Sequence, residues 1–273
     1  MNLKDNRLVQ AFTDLRAAGK KTVLPFITAG YPDLATTLAL LQEFERRGAK
    51  ICELGVPFSD PIADGPVIQA SYTDALACGI TSEKILDMVR QYRQAGGKLA
   101  LLAMVSYSIV FRAGSDKYLA AAGRAGFDGF IIPDLPLDEA TGVKSVASAL
   151  GLANVMLIAP TTPPKRRLEI ARHSRGFIYF ISIAGITGER TVLPATTRAA
   201  VAKLREHTQT PVCVGFGVSN AAMVAEVCKV ADGAIVGSAI VHRITDGLKQ
   251  NLDHAALVAR LGRFVGQLLE PVQ

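Results

Sequence analysis

The sequence has no apolar run long enough to cross a membrane. A spanning helix needs about 18 apolar residues in a row, whereas the strongest apolar run, at residues 99–105, has the length of a strand. Near the N-terminus, Leu3, Leu8, Phe12 and Leu15 have roughly helical spacing and are separated by charges, unlike the continuous apolar segment of a signal peptide. We therefore expect an extra N-terminal helix, no membrane association and a cytoplasmic location.

Cysteine and histidine are scarce, with four of each in 273 residues, and neither is arranged as a metal site. There is no C-x-x-C pair, and Cys52 and Cys213 lie within apolar runs, which is typical of buried free thiols. The four histidines share no metal-ligand spacing. We expect neither disulfides nor a bound metal.

Basic residues outnumber acidic ones, 30 against 24, which gives a net charge of +6. The dense basic segment at 165–175 is interrupted by Glu169 and contains no aromatic residues, so it indicates a solvated helix face more than a nucleic-acid site. We expect no nucleic-acid partner. A mild positive field would instead steer an anionic small molecule towards the protein.

Eight short apolar runs recur along the chain. Runs that are apolar throughout indicate strands buried on both faces of a parallel sheet. The stretches between them, such as 34–47, 83–94, 138–150 and 221–229, have the apolar spacing of helices. Without a linker, these units predict a single (β/α)8 TIM barrel domain over residues 1–273, a fold of about 250 residues; a doubly wound sheet is the alternative, because sequence does not show closure. The runs lie at 22–28, 50–54, 99–105, 127–133, 154–160, 177–183, 211–216 and 233–237.

Glycine-rich segments follow the last three predicted strands, at 184–190, 215–220 and 237–241. Barrels of this kind often hold a phosphate beside the loops after strands seven and eight, at a helix N-terminus. Ordinary tight turns would explain any one glycine, but three such turns on one side favour a phosphate site. None of the segments is a dinucleotide fingerprint or a Walker sequence. The candidate phosphate ligands are Gly188, Gly217, Gly237 and Ser238.

Three carboxylates lie in the segment ICELGVPFSDPIADGPV, residues 51–67. Glu53 ends the second predicted strand among apolar neighbours, where burial would raise the pKa of an unpaired acid and suit it to donate and accept protons. A structural glutamate with a backbone or basic partner is the alternative. Asp64 precedes a predicted helix and, taken alone, would more often be an N-cap. Asp60 precedes Pro61 and would shape the loop.

Lysine is missing from the C-terminal ends of the predicted strands, since Lys50 and Lys98 precede their strands. The predicted rim therefore has no amine to form an imine and no histidine cluster to hold a metal. A phosphate site with two carboxylates suits a reaction whose substrate supplies its own electron sink.

The segment ELGVPFSDPIADGPVIQ resembles the signature segment of the tryptophan synthase α subunits. The resemblance continues in the family's order through PFITAGYPD, FDGFIIPDLP, AGITGER, VGFGVS and VGSAIV. It implies a (β/α)8 barrel that cleaves indole-3-glycerol phosphate into indole and glyceraldehyde 3-phosphate without a cofactor of its own. It also implies an α2β2 assembly in which a pyridoxal-phosphate β subunit receives the indole through a tunnel.

Site residues follow from this resemblance position by position. It implies that Glu53 protonates indole C3 and takes the proton of the glycerol hydroxyl as the C–C bond breaks. It implies that Asp64 accepts a hydrogen bond from the indole N–H and stabilises the positive charge there. Phe26 would line the indole pocket, and Tyr179 would lie beside the reacting carbon. The other implied positions are Thr187 on a mobile loop, the phosphate ligands Gly188, Gly217, Gly237 and Ser238, and the β-subunit contacts Asp60 and Pro136.

Two segments bear on how such a site would be completed. Residues 184–194 form a long, glycine-flanked connection, which is typical of a lid. After the third strand the family usually has a polar stretch with an asparagine, whereas this chain has Ser108 there and Ile109 where proline is common. That departure concerns coupling to the β subunit and not the acid–base pair. A lyase within a complex, an activator of β with little turnover, and a stand-alone lyase are the three alternatives.

Overall fold

Eight parallel strands form a closed barrel in the computed structural model, which describes residues 3–182, 193–215 and 217–273. Each strand pairs with the next along the chain, and the last pairs with the first through Leu24 opposite Ile235. This closure confirms the predicted (β/α)8 barrel and excludes the doubly wound sheet, which leaves two edges unpaired. All eight predicted runs contain a strand. The strands are β1 Thr22–Thr28, β2 Ile51–Gly55, β3 Ala100–Met104, β4 Gly129–Ile131, β5 Ala153–Ile158, β6 Ile178–Ile181, β7 Val212–Gly215 and β8 Gly233–Val236.

Helices surround the barrel, and side-chain caps fix where several of them begin. The side chain of Asp33 accepts the N–H of Thr36 at 2.6 Å, and that of Asn220 accepts the N–H of Met223 at 2.9 Å. In the described part of the chain, no helix is both long and apolar enough to span a membrane. The helices described are α1 Arg7–Ala17, α2 Leu34–Arg46, α3 Pro66–Ala77, α4 Ser82–Gln94, α5 Tyr107–Ala113, α6 Ser115–Ala125, α7 Thr141–Ala149, α8 Pro164–His173, α9 Ala195–Arg205, α10 Ala221–Cys228, α11 Ser238–Lys249 and α12 His254–Leu269.

The helices add detail to the sequence prediction at one connection and differ from it at one boundary. The long connection between β2 and β3 contains two helices, α3 and α4, whereas one helix would be enough for a βα unit. Helix α7 begins three residues after the predicted start at 138. Consecutive turns precede it, since the N–H of Glu139 donates to Pro136 O at 3.1 Å and that of Ala140 to Leu137 O at 3.2 Å.

Helix α1 closes the N-terminal end of the barrel, which confirms the extra N-terminal helix. The ring of Phe12 lies 5.8 Å, centroid to centroid, from that of Phe177, just before β6. The side-chain amide of Asn6 donates to the carbonyl oxygens of Asp128 and Gly151, at 2.7 and 2.9 Å, before β4 and β5. Because α1 covers this end, a substrate must enter at the other end.

The cysteines are free, and three of the four are buried. Cys52 and Cys213 lie in β2 and β7 as expected, and Cys228 ends α10. Cys78, which follows the last residue of α3, is exposed, so the expectation of a buried thiol is wrong at that position. Burial raises the pKa of the Cys52 and Cys213 thiols well above its usual value, which makes them inert packing residues.

Candidate active site

Glu53 is the middle residue of β2, and its carboxyl group is completely buried. The strand is hydrogen-bonded on both sides, with Glu53 opposite Phe26 on β1 and Leu102 on β3. Neither carboxyl oxygen has a hydrogen-bond partner among the described residues. Within those residues, Glu53 is therefore not a structural glutamate held by a backbone or basic partner. Burial raises the pKa of Glu53 well above its usual value. Burial therefore favours the protonated form of this acid.

Asp64 lies in the loop between β2 and α3, two residues before the helix begins. The N-cap of α3 is Gly65, without a side-chain cap bond, so Asp64 is not the N-cap that its position suggests. The loop is held by its backbone: Asp64 N–H donates to Pro61 O at 3.1 Å, and Gln69 Nε2 donates to Asp64 O at 2.8 Å. Burial and the nearby negative charge of Asp134 raise the pKa of Asp64 to about 6.

A pocket opens beside Asp64, at the C-terminal ends of β2, β3 and β4. Ser106 Oγ and Tyr107 N–H both donate to the Asp134 carboxylate, at 2.6 and 2.8 Å, and these bonds tie the loop after β3 to the loop after β4. No group of three or more His, Cys, Asp or Glu side chains that could hold a metal occurs in the described ranges. The pocket lining includes Phe58, Asp60, Asp64, Tyr72, Ser106 and Asp134.

Two aromatic side chains extend into the barrel mouth over glycines. A Cβ placed on Gly55 would lie 2.5 Å from Phe26 Cζ, and one on Gly237 would lie 3.3 Å from Phe26 Cδ1. A Cβ on Gly215 would lie 2.4 Å from the hydroxyl of Tyr179. Burial raises the pKa of Tyr179, and the negative charges of Glu53 and Asp64 raise it further. Phe26 and Tyr179 therefore share the mouth of the barrel with both carboxylates.

The predicted phosphate ligands that can be described lie after β7 and β8. Gly217 has a φ of 82°, in the left-handed region that favours glycine. Gly237 directly precedes α11, and Ser238 is the first residue of that helix, where backbone N–H groups lack intrahelical acceptors. The backbone N–H groups around Gly217, Gly237 and Ser238 suit an anion. Because β8 pairs with both β7 and β1, these residues lie next to the strand that carries Phe26.

Some residues that the sequence predicts for the site lie outside the described ranges, and two others are exposed on loops at the protein surface. Thr187, Gly188 and all but the last two residues of the predicted lid, 184–194, are outside the described ranges. Asp60 and Pro136 are both exposed, on the loops after β2 and β4. The side chain of Asp60 accepts a hydrogen bond from Ser59 Oγ at 2.6 Å. Both acids of this loop line the pocket, but Asp60 is exposed whereas Asp64 is half-buried.

The departure at Ser108 and Ile109 falls in α5, whose start is capped locally. Ser106 is the N-cap, and its Oγ accepts the N–H of Ser108 at 3.3 Å. Because Ser106 also binds Asp134, this turn remains fixed to the loop after β4 without the asparagine that is usual in the family.

Sequence reasoning missed Tyr72, Ser106 and Asp134. Asp134 follows the fourth predicted strand in FDGFIIPDLP, and an acid directly after a barrel strand is a signal that could have identified it. Tyr72 lies in a helix, where the spacing of an aromatic residue predicts only that it packs in the core. No local signal therefore distinguishes Tyr72 as a residue of the site.

The geometry suits proton transfer to a flat, apolar group on a phosphorylated molecule. A buried acid lies in β2, a second carboxyl with a pKa of about 6 lies in the adjoining loop, and aromatic rings flank the mouth. Glycines and a helix start that suit an anion lie on the other side of β1.

Comparisons with known proteins agree with this geometry. The model of the family described as Tryptophan synthase alpha chain matches residues 12–268. The chain is 43% identical over 267 residues to the tryptophan synthase alpha chain of Chloroflexus aurantiacus, covering 98% of each. A crystal structure of tryptophan synthase subunit alpha from Legionella pneumophila superposes with a TM-score of 0.88 at 32% identity, covering 98% of both chains. A structure of tryptophan synthase from M. tuberculosis in an aminoacrylate-bound form gives a TM-score of 0.85 at 30% identity, covering 98% of this chain and 100% of the other.

Proposed function

This chain belongs to the tryptophan synthase alpha chain family and is a carbon–carbon lyase of tryptophan biosynthesis, and from that premise we propose that Glu53 and Asp64 catalyse its reaction. The reaction cleaves indole-3-glycerol phosphate into indole and glyceraldehyde 3-phosphate. The observation that carries the proposal is the buried Glu53 carboxyl without a partner among the described residues. Such a group has a proton to give and no competing hydrogen bond to break.

Glu53 moves two protons in opposite directions. Its neutral acid donates a proton to indole C3, and positive charge develops at the ring nitrogen. The bond from C3 to the glycerol carbon then breaks, and its electron pair returns to the ring. The Glu53 carboxylate accepts the proton of the glycerol hydroxyl, which becomes the aldehyde. The acid is regenerated, and no cofactor of this chain takes part.

Asp64 stabilises the intermediate charge. Its carboxylate accepts a hydrogen bond from the indole N–H, which strengthens as the ring becomes positive. Phe26 and Tyr179 contact the indole ring and the reacting carbon. The phosphate binds at backbone N–H groups around Gly217, Gly237 and Ser238, with Gly188 and Thr187 contributing as the family resemblance implies.

We expect kcat/KM for indole release to depend on pH as a bell. Activity rises as Asp64 loses its proton near pH 6, since only the carboxylate stabilises the indole nitrogen. Activity falls at higher pH, where Glu53 ionises and can no longer protonate C3. The measurement is kcat/KM between about pH 5 and 9, in which each limb reports a group of the free enzyme. A profile that is flat through pH 6 would exclude Asp64 as the required carboxylate.

The loops after β2, β3 and β4 form the surface that we propose for a β subunit. Besides Asp60 and Pro136, this surface exposes two large apolar side chains, Ile62 at 86% and Phe111 at 70%. Exposed apolar groups with polar neighbours favour a protein interface. We propose an α2β2 assembly in the cytoplasm, in which the β subunit carries pyridoxal phosphate and receives the indole from this chain.

Titration of a cognate β subunit into the lyase assay is expected to raise indole release by up to about 100-fold. Asp60 and Asp64 share one loop, so a partner that binds Asp60 also orders Asp64, and a misplacement of about 1 Å can cost a factor of that size. The missing asparagine at Ser108 would remove a hydrogen bond of about 1 kcal/mol, which weakens affinity less than tenfold. The complex should therefore form.

Asp60→Ala should reduce the activation, and Asp14→Ala, on α1 at the opposite end of the barrel, is the matched control. A flat response to β would favour the stand-alone lyase. If no indole is released with or without the β subunit, the chain is better described as an activator of β that has little turnover of its own. Activation that Asp60→Ala leaves unchanged would reject the route through this loop.

A further inference from the structure

Tyr72 is a buried residue of α3 whose hydroxyl reaches the barrel mouth. Helical side chains lean towards the N-terminus of their helix, so this phenol points back towards the loop that carries Asp64. A Cβ on Gly55 would lie 2.6 Å from the Tyr72 hydroxyl oxygen. Gly55 and Glu53 are two residues apart on β2 and share a face of the strand. The hydroxyl therefore lies near both proposed catalytic acids.

Electrostatics and hydrogen bonding single out this hydroxyl. Tyr72 and Asp64 line one pocket, and the charge of Asp64 raises the pKa of the Tyr72 hydroxyl more than that of Glu53 does, in addition to the effect of burial. The hydroxyls of Tyr31 and Tyr92 bind Thr245 and Glu45, whereas within the described ranges no side chain or backbone group binds that of Tyr72. An O–H donor without a partner among the described residues, in the same pocket as the Asp64 carboxylate, is available to bind it.

We propose that Tyr72 is a positioning residue for Asp64: its hydroxyl donates a hydrogen bond to the Asp64 carboxylate and holds it, ionised, towards the indole nitrogen. This inference rests on the proposed function of Asp64. A donor to a carboxylate favours the charged form and so opposes the repulsion from Asp134. The loop carboxylate is thereby fixed to a rigid helix, which a loop backbone alone would not achieve.

Tyr72→Phe in the full-length protein tests the inference. The ring and its packing are kept, so the thermal midpoint should stay near that of the wild type. We expect kcat/KM for indole release to fall by about 10- to 100-fold, the usual effect of losing a hydrogen bond to a charged group. The acidic limb of the pH profile should move to higher pH, because the carboxylate loses a donor. The control is Tyr118→Phe, at a buried tyrosine of α6, which should change neither kcat/KM nor the acidic limb of the pH profile.

A double-mutant cycle with Asp64→Asn separates positioning from packing. If Tyr72 acts through Asp64, Tyr72→Phe should change activity less than about twofold in the Asp64→Asn background. Equal losses in both backgrounds, or a wild-type pH limb in Tyr72→Phe, would overturn the inference. Wild-type activity of Asp64→Asn itself would instead reject the proposed function, so the two failures are distinguishable.

Discussion

Glu53→Gln is expected to lower lyase turnover by roughly 100- to 10,000-fold while substrate binding stays near that of the wild type. Glutamine keeps the shape of the side chain in β2 but cannot give a proton to indole C3 or take one from the glycerol hydroxyl. The loss should appear in kcat and not in the dissociation constant, because the acid acts on the reacting atoms. Single-turnover indole release and the affinity for glycerol phosphate measure the two quantities separately.

The controls for this variant are stability and a matched substitution. Burial raises the folded-state pKa of Glu53 above its unfolded value, so its contribution to stability is fully present at low pH and is lost as pH rises through the folded pKa. Glu53→Gln has no such loss and should be at least as stable as the wild type in alkaline buffer. Glu206→Gln, an exposed residue after α9, should leave turnover unchanged. Retention of most of the turnover by Glu53→Gln would contradict the mechanism.

Sequence sufficed to locate the strands because each strand is buried on both faces, whereas the closure of the sheet into a barrel needed the structure. A run such as TVLPFIT has to be apolar throughout, so all eight strands could be located within a few residues. Sequence also placed Glu53 in the second strand, but it predicted the end of that strand and the structure has Glu53 at its middle. Helix boundaries were less certain where turns precede the helix, as before Thr141, because two isolated turns have no apolar period.

The arrangement of the pocket could not be obtained in this way. The environment of Asp64 depends on Asp134, which lies 70 positions away and is brought near by the pairing of β2, β3 and β4. Tyr72 reaches the mouth only because Gly55, on another element, leaves room for its hydroxyl. Local sequence patterns do not encode such contacts, because each contact joins residues that are far apart in the chain.

Asp64→Asn is expected to lower kcat by about 100- to 1,000-fold, the range seen when one group that stabilises transition-state charge is removed. The amide oxygen of asparagine still accepts a hydrogen bond from the indole N–H, but it carries no negative charge. The rate should fall although the ring is held in much the same place. The acidic limb of the pH profile should disappear, because the variant has no carboxyl at position 64 to titrate near pH 6.

Asp60→Asn is the matched control for this variant, since it makes the same change four residues away on the same loop. Asp60 lines the same pocket, but it is exposed and its carboxylate is bound by Ser59 Oγ, so Asp60→Asn should lower the lyase activity of the free chain far less than Asp64→Asn does. If Asp64→Asn reduces kcat but keeps the acidic limb, the limb belongs to a group other than Asp64. If Asp64→Asn stays within about threefold of the wild type, the indole nitrogen needs no carboxylate, and Glu53 alone accounts for the catalysis.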